Sequence, residues 1–257
     1  MKANAGDFAP RPGAASLPRM LLAQTEMETR LLLLNGEQLL LTVVIPTLFL
    51  IVFSTIRVVD LGSGHRVDFV VPGIFALAVM STAFTGQAIA TAFERRYGVL
   101  KRVGATPLPR WAFILAKSGS VMASEVVQLV LLTVVGLLLG WGPKGSIIAV
   151  VVLLLLGTAA FSGLGLLMAG TLRAEATMSA ANLIFILLLG AGGVVVPLDR
   201  FPAAAQGALG LLPITALAHG LREVLQHGNS LPLADVGILA TWAVIAVAAA
   251  AALFRWE

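Results

Sequence analysis

Few residues in this chain have side chains that could carry chemistry, and they lie far apart. The sequence contains no cysteine, which excludes disulfides, thiolate metal sites and cysteine nucleophiles. Its three histidines, His65, His219 and His227, lack the spacing of a metal site. Glu125 is the acidic residue well inside an apolar stretch, and Gln128 follows it by about one turn. The side chains therefore favour packing or transport roles over catalysis.

Glu125 has three competing interpretations. A carboxylate facing hydrocarbon is costly, so Glu125 must face protein or water. It is then a hydrogen-bonding group between helices, which we favour, a residue lining a substrate route, or a proton-coupling group. Gln128 is a candidate for lining the same route. Gln87 and Asn182 are similar candidates in other apolar stretches, with hydrogen bonding between helices favoured for each.

The elements that must position these residues are long apolar segments. Of the 257 residues, 58% are apolar and 12% are charged, whereas a soluble domain has about 25% charged residues. Six stretches have the length of a membrane span. They lie at 38–56, 69–93, 112–140, 146–172, 177–196 and 236–254. The sequence predicts an all-α polytopic membrane protein with six transmembrane helices.

The distribution of Lys and Arg predicts the orientation of these spans. With the N-terminus inside, twelve of the 17 basic residues fall on the inner side. The five on the outer side are Arg57, Arg66, Lys144, Arg200 and Arg222. This asymmetry follows the positive-inside rule and predicts that both termini are cytoplasmic. The same asymmetry accounts for the net charge of +4, since basic residues lie next to membrane lipid on the inner side. We therefore expect no nucleic-acid partner.

The segment before the first span divides into two parts. Residues 1–16 are rich in Ala, Gly and Pro and predict a disordered tail. Residues 17–37 have apolar residues at helical spacing and charged residues on the other faces, which predicts an amphipathic helix lying in the membrane interface. Packing of that helix on another protein surface explains the pattern equally well. Residues 38–257 form the six-span domain.

The densest charge cluster lies between the second and third spans, at residues 94–107. Tyr97, Val99, Leu100 and Val103 could form a small apolar face among the charges, as a short helix docking into a groove requires. A solvated loop that obeys the charge rule explains the same cluster. From the residues alone, the solvated loop is favoured.

This cluster resembles the coupling-helix region in permease subunits of type-2 ABC transporters. The residues that match the family's order are Glu94, Arg95, Gly98, Val99, Leu100, Lys101, Arg102, Thr106 and Pro107. The resemblance implies that residues 94–102, Arg96 included, dock on an ATP-hydrolysing partner and transmit its motion to the spans.

A second resemblance follows the fifth span. Family members have a Pro-x-x-x-Phe-Pro run there and then a Leu-Pro or Asn-Pro element; here Pro197, Phe201, Pro202 and Pro213 match, with Leu212 before the last. In the family these residues form short re-entrant helices on the outer side. Prolines interrupt a continuous helix, so a hairpin at 197–218 that enters the membrane where protein covers it is physically reasonable.

The likeness is closest to the drug-exporter branch of the daunorubicin-resistance type. It implies a bacterial plasma-membrane permease that exports an amphiphilic drug, a lipid or a related substrate. The chain has no phosphate-binding loop; in the nearest string, 140–146, Lys precedes Gly. ATP and Mg would therefore bind a separate nucleotide-binding subunit, and this chain would bind no cofactor and have no ATPase site. A second permease chain, identical or homologous, would complete the pathway.

Two other classes of protein compete with this reading. A proton-coupled secondary transporter would use Glu125, but such carriers often have inverted repeats and the two halves of this sequence show no convincing repeat. A membrane enzyme would need convergent nucleophiles, acids or metal ligands, and the spans offer one carboxylate and no histidine.

Overall fold

The computed structural model describes residue 13 and residues 15–34, 36–55 and 66–254, and of residues 37–41 it describes the backbone alone. Most of the tail expected at 1–16 lies outside these residues, as do Arg57, His65 and Arg255. The described chain is built from α-helices and has no β-strand. The all-α fold class is confirmed.

The described helices are numbered in chain order. They are α1 (Leu17–Leu34), α2 (Gly36–Thr55), α3 (Arg66–Val79), α4 (Gln87–Arg96), α5 (Val99–Gly104), α6 (Arg110–Leu138), α7 (Ile147–Thr171), α8 (Ala174–Ala191), α9 (Ala203–Gly210), α10 (Pro213–Leu225) and α11 (Leu233–Leu253). A π-helix at Met80–Gly86 joins α3 to α4, and a 3₁₀ turn at Leu198–Arg200 precedes α9.

Five helical runs in the described residues are long and apolar enough to cross a membrane. They are Arg66–Arg96, α6, α7, α8 and α11. The pair α9 and α10 passes the same test as a sixth, with an 89° bend between them. The first predicted span, 38–56, coincides with α2, which contains the shorter apolar helix Thr42–Thr55. The protein is therefore a polytopic membrane protein.

Helix α7 lies at the centre of the bundle because glycines let its neighbours approach closely. It packs most extensively against α11 and also contacts α4 and the π-helix. A Cβ atom on Gly163 would lie 2.8 Å from Ala246 of α11, and one on Gly165 would lie 2.8 Å from the Phe84 carbonyl oxygen. Any larger residue at either position would separate the helices.

The bundle has two ends, which we name by the short helices that mark them. At the α5 end, Leu100, Phe113 and Phe254 are fully buried in one cluster that unites α5, α6 and the residue after α11. At the α10 end, Trp141 packs edge-on against Phe75 with ring centroids 5.7 Å apart. Many large apolar side chains of α2, α6, α8 and α11 are exposed on the sides between the two ends, as expected of a surface that faces lipid.

Candidate functional site

The segment predicted to dock on a partner begins with three charged residues that turn towards their own chain. Arg95 donates a hydrogen bond to the carbonyl oxygen of Leu172, and Arg96 forms an ion pair with Glu175. Leu172 directly follows α7, and Glu175 lies in the first turn of α8. Glu94 binds Lys117 of α6. The end of α4 is thus connected to three other helices.

After these residues a glycine redirects the chain. Gly98 has φ of 73°, in the left-handed region where residues with a Cβ atom are strained. The helix therefore breaks at this point, and α5 leaves at a new angle. Tyr97 is 70% exposed, and Val99, Lys101 and Arg102 are also exposed, while Leu100 is buried in the α5-end cluster. The apolar residues considered as one docking face thus lie on two sides of the segment.

Beneath the segment, Lys117 forms a buried charge cluster with two glutamates. Its Nζ atom lies 2.6 Å from Glu28 Oε2 and 2.7 and 2.6 Å from Glu94 Oε1 and Oε2. The side chains of Lys117 and Glu28 are each 6% exposed. Removing charges from water is costly, and close pairing offsets that cost. The Lys117 cluster therefore joins α1, α4 and α6 at one point.

A cavity of about 250 Å³ lies beside the Lys117 cluster. We call it the α1–α6 cavity because α1, α4 and α6 supply most of its lining. The three charged residues line it together with Gln87 and Thr91. Gln87 Nε2 and Thr91 Oγ1 are buried and have no hydrogen-bond partner among the described residues. The cavity therefore combines charge with unsatisfied polar atoms.

Glu125 and Gln87, two of the predicted intramembrane polar residues, accept hydrogen bonds from side chains of α7. Thr158 Oγ1 donates to Glu125 Oε2 at 2.5 Å, and Ser162 Oγ donates to Gln87 Oε1 at 2.6 Å. In both cases a hydroxyl of α7 meets a longer side chain of another helix. These bonds are of the kind that holds transmembrane helices together.

Gln128 connects α6 with two other elements. Its Oε1 accepts a 3.1 Å hydrogen bond from Thr82 in the π-helix, and its Nε2 donates to the Thr42 carbonyl oxygen of α2. Gln128 is buried, and both ends of its amide group have partners. Its contacts are those of a residue that joins helices.

At the α10 end, Arg222 is buried by contacts of a different kind. Its Nη1 and Nη2 donate to the carbonyl oxygens of Gly193 and Val194 at 2.7 and 2.6 Å, and its Nε donates to that of Phe69 at 3.3 Å. The guanidinium carbon lies 3.7 Å from the centroid of the Phe69 ring. Gly73 leaves the space that this group occupies, since a Cβ there would lie 2.7 Å from Arg222 Nη2.

The residues of the predicted outer hairpin surround a sharp bend. Pro197 and Pro202 precede the 3₁₀ turn and α9, and Pro213 occupies the first turn of α10, where a missing N–H is tolerated. Phe201 is partly buried, and its carbonyl oxygen accepts a 2.8 Å hydrogen bond from Gln206 Nε2. Trp242 Nε1 of α11 donates to the Leu211 carbonyl oxygen at 2.9 Å, which fixes the bend to a long helix.

The sequence that forms these helices matches a known protein family. A profile of the ABC-2 type transporter family matches residues 21–225, from within α1 to the end of α10. The chain belongs to the ABC-2 type transporter family. Among curated proteins, none matches it significantly. As an ABC-2 protein it is the permease component of an ABC transporter.

Asn182 is the fourth polar residue predicted to line a pathway, and unlike Glu125, Gln128 and Gln87 it is not buried in the bundle. It lies on the exposed face of α8, in a span whose side chains are mostly exposed. An exposed amide within a membrane span is unfavourable unless another protein surface covers it. The four candidates for lining a pathway therefore divide into three buried residues and one exposed residue.

Two buried basic residues of this ABC-2 permease were not recognised from the sequence. Lys117 was counted only as a basic residue of the inner side, and Arg222 only as one of the outer side. Each lies within an apolar neighbourhood, Lys117 beside Phe113 and Arg222 beside Leu221. A basic residue among apolar neighbours was the available signal, although it does not name the partner.

No group of three or more His, Asp or Glu side chains in the described ranges is placed to hold a metal ion. His219 Nδ1 lies 2.8 Å from Asp235 Oδ2, and His227 Nδ1 lies 3.1 Å from Glu223 Oε1. His219 Nε2 also lies 3.9 Å from Glu223 Oε1, so Glu223 lies near both histidines. These contacts join α10 to α11 and to the residues that follow α10.

Proposed function

We propose that this ABC-2 permease is the membrane subunit of an ATP-driven exporter and that its ATPase subunit docks on α5. One observation carries the proposal. The segment presents Tyr97, Val99 and Arg102 outward, while the preceding residues bind α6 and the α7–α8 turn. A partner that pushes on the outward side therefore moves several helices at once. Transport subunits convert such movements into a change of helix packing.

The rest of the proposed assembly follows from this docking. ATP and Mg bind the partner subunit. The α5 end faces the cytoplasm of a bacterium, since the charges of 94–102 then lie on the side that the positive-inside rule requires. A second permease chain, identical or homologous, completes the pathway. The exposed amide of Asn182 supports such a chain, because a facing helix would supply its hydrogen-bond partner.

The proposed substrate is an amphiphilic drug, a lipid or a related molecule. A cavity of about 390 Å³ has a mostly apolar lining that includes Phe161 and Trp242, which suits a molecule with a large apolar body and a small polar head. The likeness of the sequence to the drug-exporter branch supports the same choice.

The docking proposal is tested by changing exposed residues of the segment and leaving the ion pairs and hydrogen bonds of Glu94, Arg95 and Arg96 intact. We expect Tyr97→Asp combined with Arg102→Glu to abolish co-purification with the ATPase subunit of the transporter and to abolish ATP-dependent transport. The matched control is Lys144→Glu, which changes an exposed basic residue at the α10 end. Retained binding and transport in the double variant, at unchanged expression and melting temperature, would rule out α5 as the docking site.

A proton-coupled carrier is the second candidate function, and one observation favours it. Glu125 Oε1 is buried without a hydrogen-bond partner among the described residues, so this carboxyl group has a free position for a proton. Transport driven by a pH gradient in vesicles without ATP would support this candidate. The ATP-driven exporter predicts no transport under those conditions.

A further inference from the structure

The charges that line the α1–α6 cavity do not balance. Glu28, Glu94 and Lys117 are its charged lining residues, which makes two carboxylates for one ammonium group. Lys117 contacts both carboxylates at 2.6 Å and cannot neutralise both. The Glu28 side chain is 6% exposed and its Oε1 accepts a 2.8 Å hydrogen bond from the neutral amide of Gln24, whereas the Glu94 side chain is 25% exposed. A surplus negative charge in such a partly buried site is unfavourable. A positive charge that enters the cavity removes this cost.

Two buried polar atoms in the lining also lack a hydrogen-bond partner among the described residues. Gln87 is 5% exposed and its Oε1 is bound to Ser162, but its Nε2 has no partner among the described residues. Thr91 is 0% exposed, and its Oγ1 has no described partner either. Buried polar atoms without partners are rare in native proteins and point to an absent water or ligand. The amide can donate a hydrogen bond, and the hydroxyl can donate or accept one.

The remaining lining suits an apolar body. Leu31 and Leu32 of α1, Phe93 of α4 and Val121 of α6 contribute to it. The volume of about 250 Å³ is slightly below the range of roughly 300–1,000 Å³ for drug-sized sites, so the ligand is small or inserts only its head. Leu31 and Tyr97, both exposed, stand among the lining residues. The cavity therefore opens at the α5 end, beside the helix expected to lie in the membrane interface.

From these three observations we infer that the α1–α6 cavity binds a small amphiphilic cation that reaches it from the cytoplasmic leaflet. The cationic head lies against Glu28 and Glu94, an oxygen or nitrogen of the ligand bonds Gln87 and Thr91, and the apolar body lies along α1. This inference rests on the proposed function for its direction of transport, and it narrows the substrate class to cations.

Two probes with the same apolar body and different heads test the inference. They are 4-phenylbutylammonium and the neutral 4-phenylbutanol, measured by equilibrium binding to the permease alone in phosphatidylcholine nanodiscs, with empty nanodiscs subtracted. We expect the ammonium compound to bind about tenfold more tightly than the alcohol. Equal binding of the two probes would overturn the inference, and a bound proton would then be the better account of the excess charge.

The variants remove the excess charge and keep the hydrogen bonds. Glu28→Gln and Glu94→Gln each leave a neutral pair around Lys117, so we expect either change to reduce the ammonium preference to about twofold or less. The matched control is Glu26→Gln, an exposed acid on the same helix, which we expect to keep the full preference. A preference that survives in both cavity variants would contradict the assigned site.

A third variant fills the cavity without changing a charge and separates loss of binding from loss of folding. Ala90→Leu places a larger side chain in the cavity lining. We expect it to weaken binding of both probes while the melting temperature stays that of the wild type. The binding assay contains no ATPase subunit and no ATP, so its result does not depend on the proposed function. Absence of ATP-driven transport would overturn the proposed function and would leave the binding result unchanged. Conversely, absent cation preference with intact ATP-driven transport would overturn this inference alone.

Discussion

The two ends of the bundle each bury a basic residue and hold it in different ways. At the α5 end, Lys117 is bound by two carboxylates that belong to α1 and α4. At the α10 end, Arg222 is bound by three backbone carbonyl groups and the ring of Phe69. One arrangement uses flexible side chains and full charges. The other uses backbone groups that are fixed by their own helices and turns.

The difference suggests that the two ends do different work. Side-chain ion pairs can lengthen, exchange partners or take up a new ligand when helices shift, whereas carbonyl groups of a folded hairpin keep one geometry. An end that receives a push from a partner needs the first arrangement. An end that keeps the spans together during that push needs the second. The predictions that follow test this contrast.

The largest effect is expected at Lys117. Lys117→Met leaves the buried Glu28 and the partly buried Glu94 without their positive partner, and breaking a buried pair in this way costs about 3–5 kcal/mol. Unfolding of the purified permease in mixed micelles should report a loss of this size. The triple variant Lys117→Met, Glu28→Gln, Glu94→Gln has no unpaired charge, so most of the stability should return. Failure of the triple variant to recover would mean that the charges are not the cause.

The next effect is expected at Arg222. Arg222→Met leaves the carbonyl oxygens of Gly193, Val194 and Phe69 without this donor, at a cost of about 2–3 kcal/mol. Arg222→Lys keeps the charge but can contact fewer of the three carbonyls, so its loss of stability should be intermediate. The same unfolding assay measures both. Equal stability of the two variants and the wild type would show that the hairpin does not depend on this contact.

Two glycines allow a direct comparison of the two ends. Gly98 and Gly140 have φ of 73° and 88°, and a Cβ on either would meet open space. Alanine at either position should therefore cost about 1 kcal/mol through backbone strain alone. We expect both variants to lose similar stability in the unfolding assay.

ATP-driven transport should separate the same two variants. Gly98→Ala should also lower the transport rate per ATP hydrolysed, because Gly98 sets the angle between α4 and α5. Gly140→Ala should leave that ratio unchanged. A fall in the ratio for both variants would remove the distinction between the ends.

The smallest effect is expected at Glu125, which lies between the two ends. Gln can still accept the hydrogen bond from Thr158. Glu125→Gln should therefore change stability by about 0.6 kcal/mol or less, the average value of a hydrogen bond between membrane helices. ATP-dependent transport should persist in this variant, measured across external pH values. Complete loss of transport would favour the proton-coupled carrier.

Composition and hydropathy were enough to predict the class of fold. Apolar segments of about 20 residues match the thickness of a bilayer and are poorly solvated by water, so they form transmembrane helices. The breaks around Pro197 and Pro213 were also predictable, since proline removes a donor. Helix ends differ from the prediction by a few residues. For example, the fifth span was placed at 177–196, whereas α8 is Ala174–Ala191.

The partners of the charged residues could not be predicted in the same way. Hydrophobic periodicity tells which face of a helix is apolar, but it does not tell which residue of a distant helix meets it. Glu28 was assigned to a polar face of α1, and the structure buries it against Lys117. Glu94 was assigned to docking, which stays a prediction, while its carboxylate binds the same lysine. These contacts depend on the packing of helices far apart in the chain.

The π-helix at Met80–Gly86 lies in the middle of the span Arg66–Arg96, which contacts the buried Arg222 at one end and the buried Lys117 at the other. Each residue of an α-helix advances the side-chain direction by about 100°, and a π turn inserts an additional residue into that progression. The inserted residue therefore sets the rotational phase between the two halves of the span. With this phase, Phe69 meets Arg222 at one end and Glu94 meets Lys117 at the other. A regular α-helix through the same positions would turn one of these two faces away from its partner.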